Sequence, residues 1–199
     1  MDLAWSSMAA ASILFILGAT SPGPSLMIVV RNTMIGGRKR GIACGIGHGI
    51  GFGIYAFIAI AGIAQLKASA SGAAELLEII GGLFLLLLAA LMIRGSDGEN
   101  EHQKSGRRGF TEGFMIAFLN PKILAFLIAI FSQFVQPDFT WGERALVACV
   151  AMCIDGGWYV LVALIISGTP LMVFIQENAR KVELAMGILL AGLGVWIVL

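Results

Sequence analysis

Three ionisable side chains lie deep inside long apolar segments of the sequence: His48, Lys122 and Asp155. A charge in the hydrocarbon core of a membrane is costly, so ionisable residues in spanning segments are candidates for function. Asp155 has about ten uncharged residues on either side, so its carboxyl cannot reach the interface and must pair, accept hydrogen bonds or bind a proton. We therefore expect Asp155 to bind a proton or a cation, with a structural ion pair to Lys122 as the alternative.

Lys122 belongs to a motif, Asn120-Pro121-Lys122, that interrupts an apolar segment near its middle. Pro121 lacks an N–H, which leaves a carbonyl of the preceding turn without its helical partner. Such freed carbonyls could accept the protons of Lys122, or the lysine could bind the carboxylate of a substrate. Reaching back to the interface is the structural alternative, and it is difficult from mid-span.

A second proline motif, Pro22-Gly23-Pro24 followed by Ser25, lies inside the uncharged run of residues 3–30. Each proline lacks an N–H and disfavours helical geometry in the residue before it. Irregular backbone at membrane depth is tolerated only where protein buries it or a water-filled cavity meets it. Because transporters build substrate sites from such breaks, both proline motifs are candidates for a binding site.

Cysteine and histidine residues suggest a different chemistry. Cys44 precedes His48 by four residues, about one helical turn, and Cys149 precedes Cys153 by the same spacing. Together they would make a Cys₃His ligand set that suits zinc or cadmium. The structural alternative is that these cysteines are small buried hydrophobes. A thiol–disulfide relay through them is a further alternative, although no Cys-x₂-Cys motif is present.

The segments that carry these residues have the composition of membrane spans. Of the 199 residues, 58% are apolar and 13% are charged, against about 25% charged in a soluble domain. The charges are clustered, which leaves uncharged segments close to the roughly 20 residues that cross a hydrocarbon core. We therefore predict a single transmembrane domain over residues 1–199 and expect the first span to be retained, not cleaved as a signal peptide.

Six transmembrane helices are predicted, at about residues 8–30, 41–66, 76–93, 113–134, 144–167 and 182–199. The polar segments between them are interpreted as loops at 31–40, 67–78 and 94–112, and as a connector at 168–180. Glycines at positions 41, 45, 49 and 53 recur every four residues, a spacing that lets another helix approach closely. The glycine faces would also permit a homodimer.

The two proline breaks fall in the first and fourth predicted spans, each near the middle of its helix. The triplets 1–93 and 113–199, joined by a cytoplasmic loop at 94–112, would then be related by inverted topology. Inverted repeats with discontinuous helices are typical of secondary transporters. We therefore expect an all-α integral membrane protein whose six helices form a 3+3 inverted repeat, with two proline kinks without symmetry as the alternative.

Basic residues are distributed unequally between the predicted loops. Ten of the 13 Lys and Arg residues fall in the loops after spans one, three and five, and only Lys67 and Arg144 fall on the opposite side. Loops rich in Lys and Arg face the cytoplasm. Both termini are therefore predicted to lie outside the cell.

The sequence lacks the signature motifs of several classes of enzyme and pump. No nucleotide-binding loop, catalytic triad or zinc-protease motif is present, and there is no room for an ATPase domain. Active transport would therefore be driven by an ion gradient. We expect no enzyme activity, no cofactor and no nucleic-acid partner. A purely structural membrane subunit is a further alternative, but it explains poorly why two helices are broken and charged at mid-depth.

Several short motifs follow one another along almost the whole chain. They are Ser-Pro-Gly-Pro at 21–24, Gly-Arg-Lys-Arg-Gly at 37–41, Gly-Phe at 113–114, Leu-Asn-Pro-Lys at 119–122, Gln-Phe at 133–134, Asp155 with Trp158, and the glycines at 187 and 194. Together, in this order, they resemble the LysE/RhtB family of amino-acid exporters. Many members carry an acidic residue in the second span, where this chain has Phe52, with His48 one turn earlier.

The resemblance implies a multi-pass protein of the bacterial inner membrane that exports small amino acids or related metabolites, driven by the proton gradient. It also implies that the two breaks occupy the family's signature positions: Pro22, Gly23, Pro24, Asn120, Pro121 and Lys122.

A site is therefore expected at mid-membrane between the two broken helices. The half-helix that begins at Ser25 would offer unpaired N–H groups and a positive dipole end to a substrate carboxylate, assisted by Lys122. Asp155 would bind the coupling proton or the substrate ammonium, and His48 would share in proton transfer. The alternatives are a membrane thiol-redox conduit and export of a soft divalent metal through Cys44, His48, Cys149 and Cys153.

Overall fold

The computed structural model describes residues 5–21, 23–69, 72–94, 109–166 and 177–198. These residues form seven helices and no strand: α1 Trp5–Thr20, α2 Pro24–Ser69, α3 Ala73–Arg94, α4 Gly109–Leu119, α5 Pro121–Phe134, α6 Trp141–Ile166 and α7 Ala179–Val198. Pro22, most of the predicted loop 94–112 and most of the predicted connector 168–180 lie outside the described residues.

Helix breaks occur at both predicted positions. The helix α1 ends at Thr20 and α2 begins at Pro24, so the first proline motif separates two helices. The helices α4 and α5 are separated at Asn120 and meet at an angle of 58°. Pro121 is the first residue of α5, where its missing N–H removes no helical hydrogen bond. Asn120 precedes it as the N-cap.

The predicted basic loop at 31–40 is wrong in part, because the segment is helical on both sides of a kink at Gly37 and the whole of α2 covers 46 residues. Only Gly37 leaves helical geometry, with φ 72° and ψ 180°, and this positive φ is open to glycine at little cost. The segment has no proline, and its Arg, Lys, Met and Ile residues fit a helix. The predicted loop at 67–78 is wrong in part for the same reason: Lys67 lies in α2 and α3 begins at Ala73.

Glycines let α2 approach two other helices at backbone distance, as the four-residue spacing predicts. A Cβ on Gly49 would lie 2.6 Å from the Gly156 Cα of α6, and one on Gly53 would lie 2.6 Å from the Met152 Cβ. On a different side, a Cβ on Gly51 would lie 2.9 Å from the Phe114 carbonyl oxygen of α4. The helices α4 and α6 are therefore both held closely against the middle of α2.

An apolar core joins α1, α2 and α5 beyond this glycine contact. Phe15 of α1 is fully buried and meets Phe52 of α2 and Phe131 of α5 edge to face, with ring centroids 6.4 and 5.9 Å apart. Around these rings pack the buried aliphatic side chains of the same helices. This core fixes the orientation of α1 and α5 on the face of α2 that also carries His48.

Within the described ranges, two helices are long and apolar enough to cross a membrane, Pro24–Ser69 and Trp141–Ile165. The bent pair formed by α4 and α5 makes a third if it counts as one span. Large apolar side chains are also exposed on the outside of the helices, for example Ile13 at 58%, Ile58 at 54% and Leu87 at 54%. An apolar exterior of this kind suits contact with lipid. The six-span inverted repeat stays a prediction.

Candidate functional site

A cavity of about 50 Å³ lies where the two helix breaks meet α2 and α6. Its volume would hold a few water molecules. The lining contains seven of the nine residues predicted for the site: Gly23, Pro24, Ser25, His48, Asn120, Lys122 and Asp155. Pro121 is the first residue of the helix α5 that carries Lys122, and Pro22 lies outside the described residues.

The first wall of the cavity is the N-terminus of α2. The Met27 N–H donates to the Gly23 carbonyl at 3.1 Å, so the helical hydrogen bonds begin at Gly23. The N–H groups of Ser25 and Leu26 precede the first residue able to bond within the helix. A helix N-terminus carries a partial positive charge and is suited to an anion. Ser25 is buried and lines the cavity at this end.

The second wall is the N-terminus of α5, and polar side chains join it to the first. The Lys122 N–H donates to Asn120 Oδ1 at 3.0 Å, which caps the helix. Across the gap, Asn120 Nδ2 donates to Ser25 Oγ at 3.4 Å and Lys122 Nζ donates to Ser21 Oγ at 2.8 Å. The structure therefore brings the two proline motifs, which lie about a hundred residues apart in sequence, into one hydrogen-bonded unit.

The third wall carries a buried carboxylate–imidazole pair. His48 Nδ1 of α2 lies 2.6 Å from Asp155 Oδ2 of α6, and both side chains are buried. The Tyr159 ring packs against the imidazole with centroids 4.4 Å apart, and the Tyr159 hydroxyl hydrogen-bonds the Ser25 side chain. Asp155 therefore pairs with His48, and Lys122 donates to Ser21 on the far wall.

The arrangement places opposite charges around one small space. Lys122 and the N-terminus of α2 favour negative charge on one side, and the Asp155 carboxylate favours positive charge on the other. Phe52, Ile123 and Phe126 complete the lining with apolar surface. A zwitterion with a short apolar portion matches this distribution of groups.

The four residues of the soft-metal alternative are not brought together. Cys44 and His48 are buried in α2, while Cys149 and Cys153 are exposed on α6. No group of three or more His, Cys, Asp or Glu side chains able to hold a metal ion occurs in the described part of the chain. All three cysteines are free thiols. No observation of the structure therefore favours the metal site or the thiol relay.

A second polar cluster, which the sequence did not reveal, joins α2 to the start of α4. Glu112 is buried, accepts hydrogen bonds from Asn32 at 2.8 Å and Arg40 at 3.1 Å, and lies 3.9 Å from Arg31. Arg40 Nε also donates to Asn32 Oδ1 at 2.6 Å, across the kink at Gly37. All four residues fall in segments interpreted as loops. The absence of proline and the helix-forming residues through 31–40 are the signal that could have located three of them.

Comparison with known proteins identifies the family of the chain. The chain is 25% identical to the threonine efflux protein of Escherichia coli K12 over 94% of its own length and 95% of that protein. It is 24% identical, with the same coverage, to the threonine efflux protein of Salmonella typhimurium. No solved structure matches the chain. The model of the LysE type translocator family matches residues 16–199, and the chain therefore belongs to this family of membrane transporters and is not an enzyme.

Proposed function

We propose that the protein is a secondary active exporter of small amino acids or related metabolites, driven by the proton gradient and acting at the cavity between the two helix breaks. The observation that carries the proposal is the lining of this cavity, which combines a lysine and a helix N-terminus with a buried carboxylate. Relatives of matching length that are named threonine efflux proteins support the substrate class.

The substrate carboxylate binds between the N-terminus of α2 and Lys122. Unpaired N–H groups at the start of α2 and the Lys122 ammonium supply charge-assisted hydrogen bonds to the same anion. Ser21 already holds Lys122 Nζ at 2.8 Å, so the ammonium is oriented before the substrate arrives. Positioning of this kind reduces the entropy lost on binding.

The substrate ammonium binds at Asp155 on the opposite wall, and the coupling proton uses the same region. Asp155 is 3% exposed, and it is the one acidic residue among the described residues that line the cavity. A carboxylate in this setting needs a cation, which a proton or an ammonium group supplies. The short side chain of the substrate packs against Phe52, Ile123 and Phe126.

The exporter is inferred to lie in the bacterial inner membrane as six spans in a 3+3 inverted repeat, with both termini outside. The two observed breaks, in α1–α2 and in α4–α5, support this arrangement because each interrupts the first helix of its triplet. The apolar exterior of the helices supports insertion in lipid.

Amino-acid efflux tests the proposed function. Cells that lack their own exporters are loaded with dipeptides, and the medium is profiled by mass spectrometry with and without an uncoupler. We expect a few small amino acids to appear selectively, and both the uncoupler and Asp155→Asn to abolish their appearance. Asp138→Asn, at an exposed position, is the matched control and should behave as the parent does. A parent protein that reaches the membrane and exports no amino acid would overturn the proposal.

A further inference from the structure

The buried imidazole of His48 has one nitrogen paired and one unpaired. Nδ1 lies 2.6 Å from Asp155 Oδ2, and His48 has no exposed surface. Nε2 is fully buried and has no hydrogen-bond partner among the described residues. Because buried polar groups are nearly always hydrogen-bonded, a ring nitrogen without a partner beside a binding cavity points to a group that arrives there.

The contact with Asp155 decides what Nε2 can do. A short contact between Nδ1 and a carboxylate oxygen requires a proton between them, and with Asp155 ionised Nδ1 is the nitrogen that carries it. Nε2 then carries a lone pair and accepts a hydrogen bond. When the ring takes up a second proton, Nε2 becomes a donor and the ring becomes a cation.

The groups around the imidazole favour the binding of one positive charge. From α6 it meets the Asp155 carboxylate and the Tyr159 ring, and its own helix contributes the buried Cys44 thiol one turn away. Lys122 of α5 lines the same cavity. The pair of neutral His48 and ionised Asp155 has a net charge of −1, and protonation of the ring brings it to zero.

We propose that the His48–Asp155 pair binds one cation at a time: either the coupling proton, on His48 Nε2, or the substrate ammonium, which the Asp155 carboxylate accepts. The inference rests on the proposed function and assigns its coupling step to a named atom. When the amino acid binds, Nε2 releases its proton to the cytoplasmic side. When the amino acid leaves on the outside, a proton takes its place, so one proton enters for each molecule exported.

Substitutions at His48 distinguish proton coupling from substrate binding. In His48→Asn an amide near the position of Nδ1 can still donate to Asp155, but no atom replaces Nε2. In proteoliposomes with L-threonine as the probe, we expect accumulation driven by a pH difference to fall at least about tenfold. Exchange of labelled for unlabelled L-threonine without a pH difference should continue, with a raised KM that no longer depends on pH between about 5.5 and 8. His102→Asn removes the other histidine of the sequence and is the control.

A measurement on the parent protein tests the inference even if the His48 variants do not fold. Purified protein in weakly buffered detergent is mixed with L-threonine near pH 6 while a dye reports pH, and D-threonine at equal concentration is the control. We expect release of up to one proton per chain. A parent that exchanges L-threonine but releases no proton, or a His48→Asn variant with unchanged proton-driven accumulation, would overturn the inference and leave the proposed function standing. A parent that exchanges no amino acid would instead remove the proposed function.

Discussion

The ring of Phe126 lies directly on the backbone of Gly18. A Cβ added to Gly18 would come within 2.8 Å of the ring atom Cε1 and 3.1 Å of Cε2, so α1 holds the ring in place from behind. The Phe126 side chain also lines the cavity, together with Ile123 about one turn earlier in α5. The position of one aromatic ring therefore limits the space beside the charged groups.

Replacement of this ring should broaden the substrate range. In Phe126→Leu the smaller side chain leaves room in the cavity, so we expect the preference for L-threonine over L-leucine to fall by roughly tenfold, the range that one or two methylene groups contribute. Competition of each amino acid with labelled L-threonine exchange measures this ratio. Phe134→Leu makes the same change in α5 outside the cavity lining and should keep the parent's ratio. An unchanged ratio in Phe126→Leu would show that the ring does not limit substrate size.

At the residue scale the sequence located the groups but not their partners. His48, Lys122 and Asp155 were recognisable because an ionisable side chain in an apolar segment is rare. The contact between His48 and Asp155 was not predictable, since it depends on how α2 and α6 are rotated about their axes. Glu112 escaped notice because it follows a polar segment and only packing against α2 makes it buried.

The helix α2 is the element on which the others are assembled. Glycines on one side of it contact α6 and glycines on another contact α4, so two neighbours reach its backbone at nearly the same height. The four-residue spacing predicted this close approach, since small residues on one face are a general feature of packed membrane helices. The helical geometry on both sides of Gly37 in the segment 31–40 was not predicted. A cluster of charged residues was interpreted as a loop, but a helix that extends from the membrane into the interface can carry the same charges.

A larger side chain at the contact with α6 should separate the helices. A Cβ on Gly49 meets the Gly156 Cα at 2.6 Å, and this backbone cannot move aside as a flexible side chain could. We expect Gly49→Val to lower the free energy of unfolding by about 2 kcal/mol or more. Gly62→Val is the matched control in the same helix, where a Cβ meets nothing within 4 Å. Thermal unfolding in detergent, followed by size-exclusion chromatography, compares the stability of the two variants. Equal losses of stability in Gly49→Val and Gly62→Val would contradict the packing argument.

The contact between α2 and α4 depends on a buried charge. Glu112→Gln keeps the shape of the side chain but removes the negative charge that faces Arg31 and Arg40. We expect a loss of about 2 kcal/mol, typical of a hydrogen bond to a charged group, and a fall in Tm of roughly 5 °C. Thermal unfolding in detergent measures both the loss of free energy of unfolding and the fall in Tm. Glu177→Gln, at an exposed position, should leave Tm unchanged. A Glu112→Gln variant as stable as the parent would show that the cluster contributes nothing to the association of these helices.

At the scale of the whole molecule, the apolar exterior and the distribution of basic residues determine how the chain sits in a membrane. Composition alone indicated an integral membrane protein, because so few charges are available to cover a surface in water. The number of spans is harder to obtain, since three of the helices next to the breaks, α1, α4 and α5, are each shorter than a span. The breaks that were predicted from proline are therefore also the reason why spans are difficult to count.

Reporter fusions test the orientation. Alkaline phosphatase fused after Leu199 should be active and a fluorescent protein at the same point should be dark, because the C-terminus is predicted outside. An insertion after Gln103, in the predicted cytoplasmic loop, should give the opposite pattern. A fluorescent fusion after Leu199 would reverse the proposed topology without affecting the cavity.

The stretch of α2 between the first break and the kink at Gly37 makes a polar contact near each of its ends. Residues 24–36 form a rigid rod of roughly 20 Å, with irregular backbone at both ends. Near one end, Ser25 is tied to Asn120, and towards the other, Asn32 is tied to Glu112. Both attachments are made by one helical segment, so a shift of the segment would change the geometry of both. We therefore expect movement at the cavity to be coupled through this segment to the contact between Asn32 and Glu112.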